Sequence, residues 1–130
     1  VQPPDATVAS DEAAVTFDQS ELLDNVMGDR ELARGIVVGF LEDVPKQITS
    51  LGQQLMAADA SSVELQAHSI KGAASVVGAQ RLAHLAKEIE TYAEAGQLQR
   101  ASETYAALES EFSRLKGLLK GSILFDGTGS

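Results

Sequence analysis

An all-α fold, an antiparallel up-down four-helix bundle with an additional short N-terminal helix, follows from three features of this sequence. Apolar residues recur at spacings of three and four through most of the chain, which is the period of a helix face and not the alternation of a strand. Aromatic residues make up only 5% and there is no Trp. A core must therefore come from Leu, Ile, Val and Ala, which suits closely packed helices better than a sheet sandwich. The periodic segments are separated by short stretches, and short connections make consecutive helices antiparallel neighbours. At 130 residues and 44% apolar content the chain is sized for one domain with one core.

Residues 1–16, VQPPDATVASDEAAVT, join a Pro pair, small residues and three acids without apolar periodicity, and they read as a flexible linker. The folded domain is expected over residues 17–120, with residues 121–130 as a C-terminal tail. Asp18 and Glu21 supply an N-cap and its capping-box partner for a short helix that carries Leu22, Leu23 and Val26 and stops at Gly28. Asp29 caps a long second helix whose buried face reads Leu32, Ile36, Phe40, Val44, Ile48, Leu51 and Leu55. Pro45 lies inside it, removes one backbone hydrogen bond and is expected to bend the helix between Leu41 and Val44. Asp59, Ser61 and Ser62 offer caps for a third helix, with Ser61 and Glu64 in capping-box register. Gly78 ends that helix, and a fourth follows at once with Leu82, Leu85, Ala86, Ile89 and Ala93 on one face and Gly96 as its stop. A fifth, Leu98 to Lys120, buries Ala101, Tyr105, Leu108, Phe112, Leu115 and Leu119. The tail carries an apolar Ile123-Leu124-Phe125 cluster to which the sequence assigns no purpose. One buried face per helix suggests a monomer.

Charge and composition exclude several classes of function. Ten Lys and Arg stand against nineteen Asp and Glu, a net charge of −9, so a nucleic-acid backbone would be repelled over most of the surface. With no Cys there are no disulfides, thiolate zinc sites or cysteine nucleophiles, as fits a reducing cytoplasm. No run approaches the roughly 18 apolar residues of a membrane span, and the N-terminus lacks the basic region and apolar stretch of a signal peptide. The first residue is Val1 and not Met, which reads as an excised piece or a processed product of a longer protein.

The two histidines are His68 and His84. Advancing 100° per residue from His68, the positions Val63, Ala67, Ile70, Ala74 and Val77 cluster between about 180° and 260°, the core face of the third helix. On the same scale Lys71 lies at about 300°, Glu64 at about 320°, Ser75 at about 340°, Ser61 at about 20° and Gly72 at about 40°. His68 therefore looks outward from the middle of a polar, small-residue face. A histidine on a helix is more often structural or merely solvated than functional, but these neighbours are unusual. Gly72 weakens a helix interior by roughly 0.5–1 kcal/mol relative to Ala, and one turn beyond His68 it clears the approach to the ring. Lys71 at i+3 can bring its ammonium alongside, where it would stabilise an anion attached to the imidazole. The bland alternative for Lys71 is a solvated helix lysine. A metal site is not predicted: His68 and His84 lie too far apart in sequence for an i, i+4 pair, no cysteine supplements them, and His84 reads as a solvated surface residue opposite Leu82, Leu85 and Ile89. There is no Gly-rich phosphate loop and no paired-carboxylate site.

The stretch Ala67 to Glu90, AHSIKGAASVVGAQRLAHLAKEIE, resembles the histidine-containing phosphotransfer (HPt) domain of bacterial two-component phosphorelays. The shared pattern is A-H-x-hydrophobic-K-G, a glycine at Gly78 and a Leu-rich helix ending in an acid or amide. The resemblance extends through FDQSELLDNVMGD and through FLEDVPKQI with its internal proline, covering residues 17–116. It implies that His68 is phosphorylated on a ring nitrogen by the phospho-aspartate of a response-regulator receiver domain and passes the group to, or takes it back from, another receiver aspartate. It further implies that Lys71 offsets phosphate charge, that Gly72 and Gly78 permit docking and turn the chain, and that Glu90 accepts a hydrogen bond from the other ring nitrogen. Some family members have Gln at that position; the alternative for Glu90 is a solvated acid. Docking is expected on the face bearing Gly72, Ser75, Glu64 and Gly78.

On this reading the chain is a phosphocarrier without autonomous catalytic machinery. It needs no cofactor of its own, and Mg²⁺ is expected in the partner receiver. Partners would be receiver domains, with a hybrid sensor histidine kinase in the same polypeptide as one setting, and the location cytoplasmic, whether free or at the cytoplasmic end of a membrane-bound kinase. The rival from a different class is a non-catalytic helical adaptor or dimerisation bundle in which His68 does no chemistry. A histidine-kinase dimerisation domain would need a following nucleotide-binding domain, which this sequence lacks.

Overall fold

Three aspartates start the first three helices. The computed structural model of the chain describes residues 15–121, which form α1 (Gln19–Asn25), α2 (Arg30–Met56), α3 (Ala60–Val77), α4 (Gln80–Glu94) and α5 (Leu98–Lys120). The expected linker at residues 1–14 and the tail at residues 122–130, with its Ile123-Leu124-Phe125 cluster, lie outside the described residues. Asp18 accepts the Glu21 N–H at 3.1 Å, Asp29 the Leu32 N–H at 3.0 Å and Asp59 the Ser62 N–H at 3.2 Å. Each satisfies a first-turn donor that has no partner within its helix. The Ser62 hydroxyl also donates to Asp59 at 2.7 Å. That hydroxyl, followed by the backbone N–H, holds the Asp59 carboxyl below the ordinary carboxylate range.

The expected Ser61–Glu64 capping box does not form. Asp59 takes the cap two residues earlier, which places Ser61 already inside the first turn of α3. The reciprocal half of the Asp18–Glu21 box is likewise replaced by tertiary contacts. The Asp18 N–H donates to the Gly78 carbonyl at 2.8 Å, and Glu21 accepts from the Gln80 side chain at 3.1 Å. Gln80 also donates to Asp18 at 3.2 Å and accepts the Val15 N–H at 3.3 Å, while the Arg81 N–H donates to the Val15 carbonyl at 2.9 Å. The chain before α1 is thereby tied to the first turn of α4.

α2, α3, α4 and α5 run alternately up and down, each packing on the next, and α2 meets α5 to close the bundle; α1 lies against α3 and α2. All five positions expected on the core face of α3 are buried, as are all five on α4. The face of α2 departs from expectation at its ends. Phe40, Val44, Ile48 and Leu51 are in the core, but Leu32 is 51% exposed, Ile36 and Leu55 are half-buried, and Ala33 and Val37 are buried instead. Successive steps of four overshoot a helical turn by about 40° each, so a line drawn back from Ile48 through Val44 and Phe40 to Ile36 and Leu32 winds off the core face. Mixing in steps of three, as Val37 and Ala33 do, keeps to it. Pro45 sits within an uninterrupted α2.

α5 holds two further departures. Tyr105 is half-buried, and its hydroxyl donates to the Ile48 carbonyl at 2.9 Å, sitting where a Cβ on Gly52 would overlap it. Burial, and then the neighbouring Glu109 carboxylate, push the Tyr105 phenol above its ordinary pKa. Glu111, 3% exposed, is the buried charged residue among the described residues; Arg81 reaches it from α4, with Nε 3.3 Å from Oε1. Beside it Phe112 meets Phe40, ring centroids 6.0 Å apart, joining α5 to α2. Among the described residues no helix is long and apolar enough to cross a membrane.

Gly78 ends α3 in the left-handed region at φ +80°, and a Cβ there would run into the Asp18 carbonyl oxygen. Gly78→Ala should therefore destabilise the protein by about 2 kcal/mol or more, the left-handed penalty plus a backbone collision, as a lower urea midpoint at unchanged slope. Because the folded Tyr105 pKa is raised, its contribution is complete below the ordinary tyrosine range and is lost as pH climbs through the raised value. Tyr105→Phe should start about 1 kcal/mol less stable for want of the Ile48 hydrogen bond, yet lose less than the native protein between pH 9 and 11, the window about the ordinary tyrosine pKa of ~10. Denaturation curves across that window check both statements.

Candidate functional site

The connection through Gly78 and Ala79 sends α4 straight back along α3, and this places Glu90 opposite His68. Ala67, next to His68, and Ile70, two residues on, are fully buried, as Ile89 is beside Glu90, so both positions are fixed by nearby core residues. His68 is turned outward with its side chain 62% exposed, whereas the Glu90 side chain is 14% exposed in the crevice between the helices. The His68 Nδ1 lies 3.0 Å from Glu90 Oε2. An ionised carboxylate can only accept, so Nδ1 carries the proton in this contact, and a neutral imidazole held this way has its lone pair on Nε2. Nε2 has no partner among the described residues.

The other carboxylate oxygen faces cations. Lys71 Nζ stands 3.7 Å from Glu90 Oε1 and Lys87 Nζ 4.0 Å from the same atom. Neither distance is that of a hydrogen bond, and Glu90 Oε1 accepts none among the described residues. Lys71 was expected beside the imidazole; it is found on the carboxylate that holds the imidazole. The structure thus brings together His68, Lys71 and Glu90, and adds Lys87, which the sequence reading passed over. Its position three residues before Glu90 on the same helix was the available signal.

The remaining positions divide. Gly72 is exposed, and a Cβ on it would meet nothing within 4 Å, so packing within this chain does not demand a glycine there; its absent side chain leaves open surface one turn from the ring. Ser75 is exposed on the same face and Glu64 is half-buried one turn before His68. Gly78 is buried in the turn against α1, away from the exposed face on which docking was expected. His84 is not drawn to His68; its Nε2 pairs with Glu88 on α4 at 3.1 Å. No group of three or more metal-ligating side chains converges among the described residues.

The profile of the family described as Hpt domain matches residues 35–118. Among curated proteins, the chain is similar to the phosphorelay intermediate protein rdeA of Dictyostelium discoideum, 26% identical over 103 residues. That match covers 79% of this chain and 41% of the relative, so the chain spans about two fifths of that protein's length. Among solved structures it is similar to histidine-containing phosphotransfer protein B (HptB) of Pseudomonas aeruginosa PAO1, with a TM-score of 0.77 and 33% identity over 82% of this chain and 93% of the other.

The tautomer is measurable. In ¹⁵N-edited NMR of the imidazole at neutral to mildly alkaline pH, native His68 should show the proton on Nδ1 and the lone pair on Nε2. Glu90→Gln should keep that pattern through its amide oxygen, and Glu90→Ala should lose it.

Proposed function

This chain belongs to the Hpt domain family, and we propose that it is a phosphorelay intermediate in which His68 Nε2 takes a phosphoryl group from a receiver-domain phospho-aspartate and yields it to another receiver aspartate. The observation that carries this reading is the Nδ1 contact with Glu90 at 3.0 Å, which leaves an exposed ring with its lone pair on Nε2.

In the forward step the Nε2 lone pair attacks phosphorus in line with the acyl-phosphate P–O bond. An N–P bond forms, and the aspartate leaves as a carboxylate with the bonding electron pair. The ring becomes cationic as the bond forms, and Glu90 stabilises that charge through the Nδ1 proton. The reverse step runs through the same geometry. Lys71 is within reach to move from Glu90 Oε1 towards a phosphoryl oxygen, replacing one ion pair by another. On this reading the divalent ion that polarises the phosphoryl oxygens, Mg²⁺, sits in the receiver's acidic pocket, and this chain supplies the nucleophile and its setting. The face carrying Gly72 and Ser75, with Leu65 and Val76 exposed nearby, suits a small, transient contact of the kind signalling partners use.

Incubation with a radiolabelled phospho-receiver should put an acid-labile, base-stable label on the native protein and none on a folded His68→Gln variant. Lys71→Ala should slow transfer roughly tenfold, about 1.4 kcal/mol of transition-state stabilisation. Label on the Gln variant would remove His68 from the mechanism.

A further inference from the structure

The charges around His68 lie in an ordered arrangement along the α3–α4 pair. The antiparallel register that sets His68 against Glu90 also sets Lys71 against Lys87, three residues nearer the Gly78 turn on each helix. Four residues farther from the turn the same register sets Glu64 against Glu94. The two lysines flank the helix pair on one side of the histidine, and two acids flank it on the other. A phosphoryl group on Nε2 is attracted to the lysine side and repelled from the glutamate side.

Charge balance gives Lys87 its role. Glu90 carries one negative charge in the crevice, and Lys71 alone would merely cancel it. A phosphoryl dianion would then be added to a neutral site on a protein of net charge −9, with two acids a turn away. With Lys87 counted, the site before phosphorylation is positive by one charge. Lys87 is held loosely enough to respond: its ammonium is 4.0 Å from Glu90 Oε1, and its side chain is 58% exposed. Lys71 is also beyond hydrogen-bond distance at 3.7 Å. Glu90 thus holds two ammonium groups in waiting on one oxygen while its other oxygen fixes the ring.

We infer that Lys87 is a second phosphate-holding residue of this site, moving from Glu90 to the phosphoryl group when His68 is phosphorylated. This rests on the reading of His68 as the phosphorylated residue. Lys71 and Lys87 then clamp the phosphoryl oxygens from the two helices, and the release of both lysines from Glu90 leaves that carboxylate to the cationic ring.

Phosphoramidate, a small N–P donor, tests this without a partner protein. Native protein, Lys87→Ala, Lys87→Arg and His68→Gln are each treated with it and followed by ³¹P NMR through a pH titration. The native protein should give one phosphohistidine resonance that is missing from His68→Gln. In Lys87→Ala the second ionisation of the phosphoryl group should move up by roughly half a pH unit, with phosphorylation two- to fivefold slower, the scale of an exposed charge pair. Lys87→Arg should restore both, which a packing role for the lysine stem would not explain. A native resonance whose titration is unchanged in Lys87→Ala overturns this proposal and leaves His68 in place. No resonance in native protein overturns both.

Discussion

The site depends on the register between α3 and α4, and that register is set at one turn. Gly78 adopts a left-handed conformation in contact with the Asp18 carbonyl, and the Asp18 N–H returns to the Gly78 carbonyl, so the turn is clamped by α1 from outside. Gln80 and Arg81 extend the clamp to Val15. A slip of one residue in either helix would rotate its side chains by about 100°, carrying Glu90 off His68 and Lys87 off Lys71 together. The short first helix, remote from His68 and Glu90 in sequence, therefore helps set their pairing by fixing where α4 begins.

Glu90 carries the cost of this arrangement. A carboxylate this deep in a crevice has given up most of its water, and desolvated charge is tolerated only where partners replace that water. Its partners are an imidazole proton at 3.0 Å and two ammonium groups at 3.7 and 4.0 Å. A glutamine would hold the ring as well but would not collect lysines. The choice of an acid couples ring orientation to the gathering of cations, so that, on the proposed reading, the residue that orients the nucleophile also holds the charge its product would require. Buried Glu111, held by Arg81 at 3.3 Å, shows the same logic without chemistry: it ties α5 to the first turn of α4, the segment whose placement sets the register.

Much of this was legible in the sequence, and the failures have physical reasons. The core faces of α3 and α4 were read correctly because each is short and its apolar positions mix steps of three and four. The start of α2 was misread because five larger apolar residues, Ile48, Val44, Phe40, Ile36 and Leu32, happen to fall at steps of four and compete with the smaller Ala33. The cap of α3 was assigned to three residues at once, Asp59, Ser61 and Ser62, and Asp59 prevailed because it gathers two hydrogen bonds from Ser62. Glu111 was invisible: an acid beside an apolar residue reads as solvent-facing unless its partner is known, and Arg81 is thirty residues away in sequence. Lys87 shares a helix face with Glu90, but its pairing with Lys71 exists only once α3 and α4 are folded together.

On the proposed reading, the looseness of the two lysines serves transfer. A carrier must give up what it accepts, so interactions that favour the phosphorylated state over both transfer transition states turn an intermediate into a sink. A cage of buried, hydrogen-bonded cations would do that. Here His68 is fixed from one side only, through Nδ1, and the phosphate-facing side is bounded by Gly72, which offers no side chain, and by lysines at the ends of long flexible stems. Those stems supply charge without rigid geometry, and their attraction to Glu90 competes with their attraction to the phosphoryl group. In that reading the competition would bring the two states closer in free energy, as reversible transfer between receivers requires.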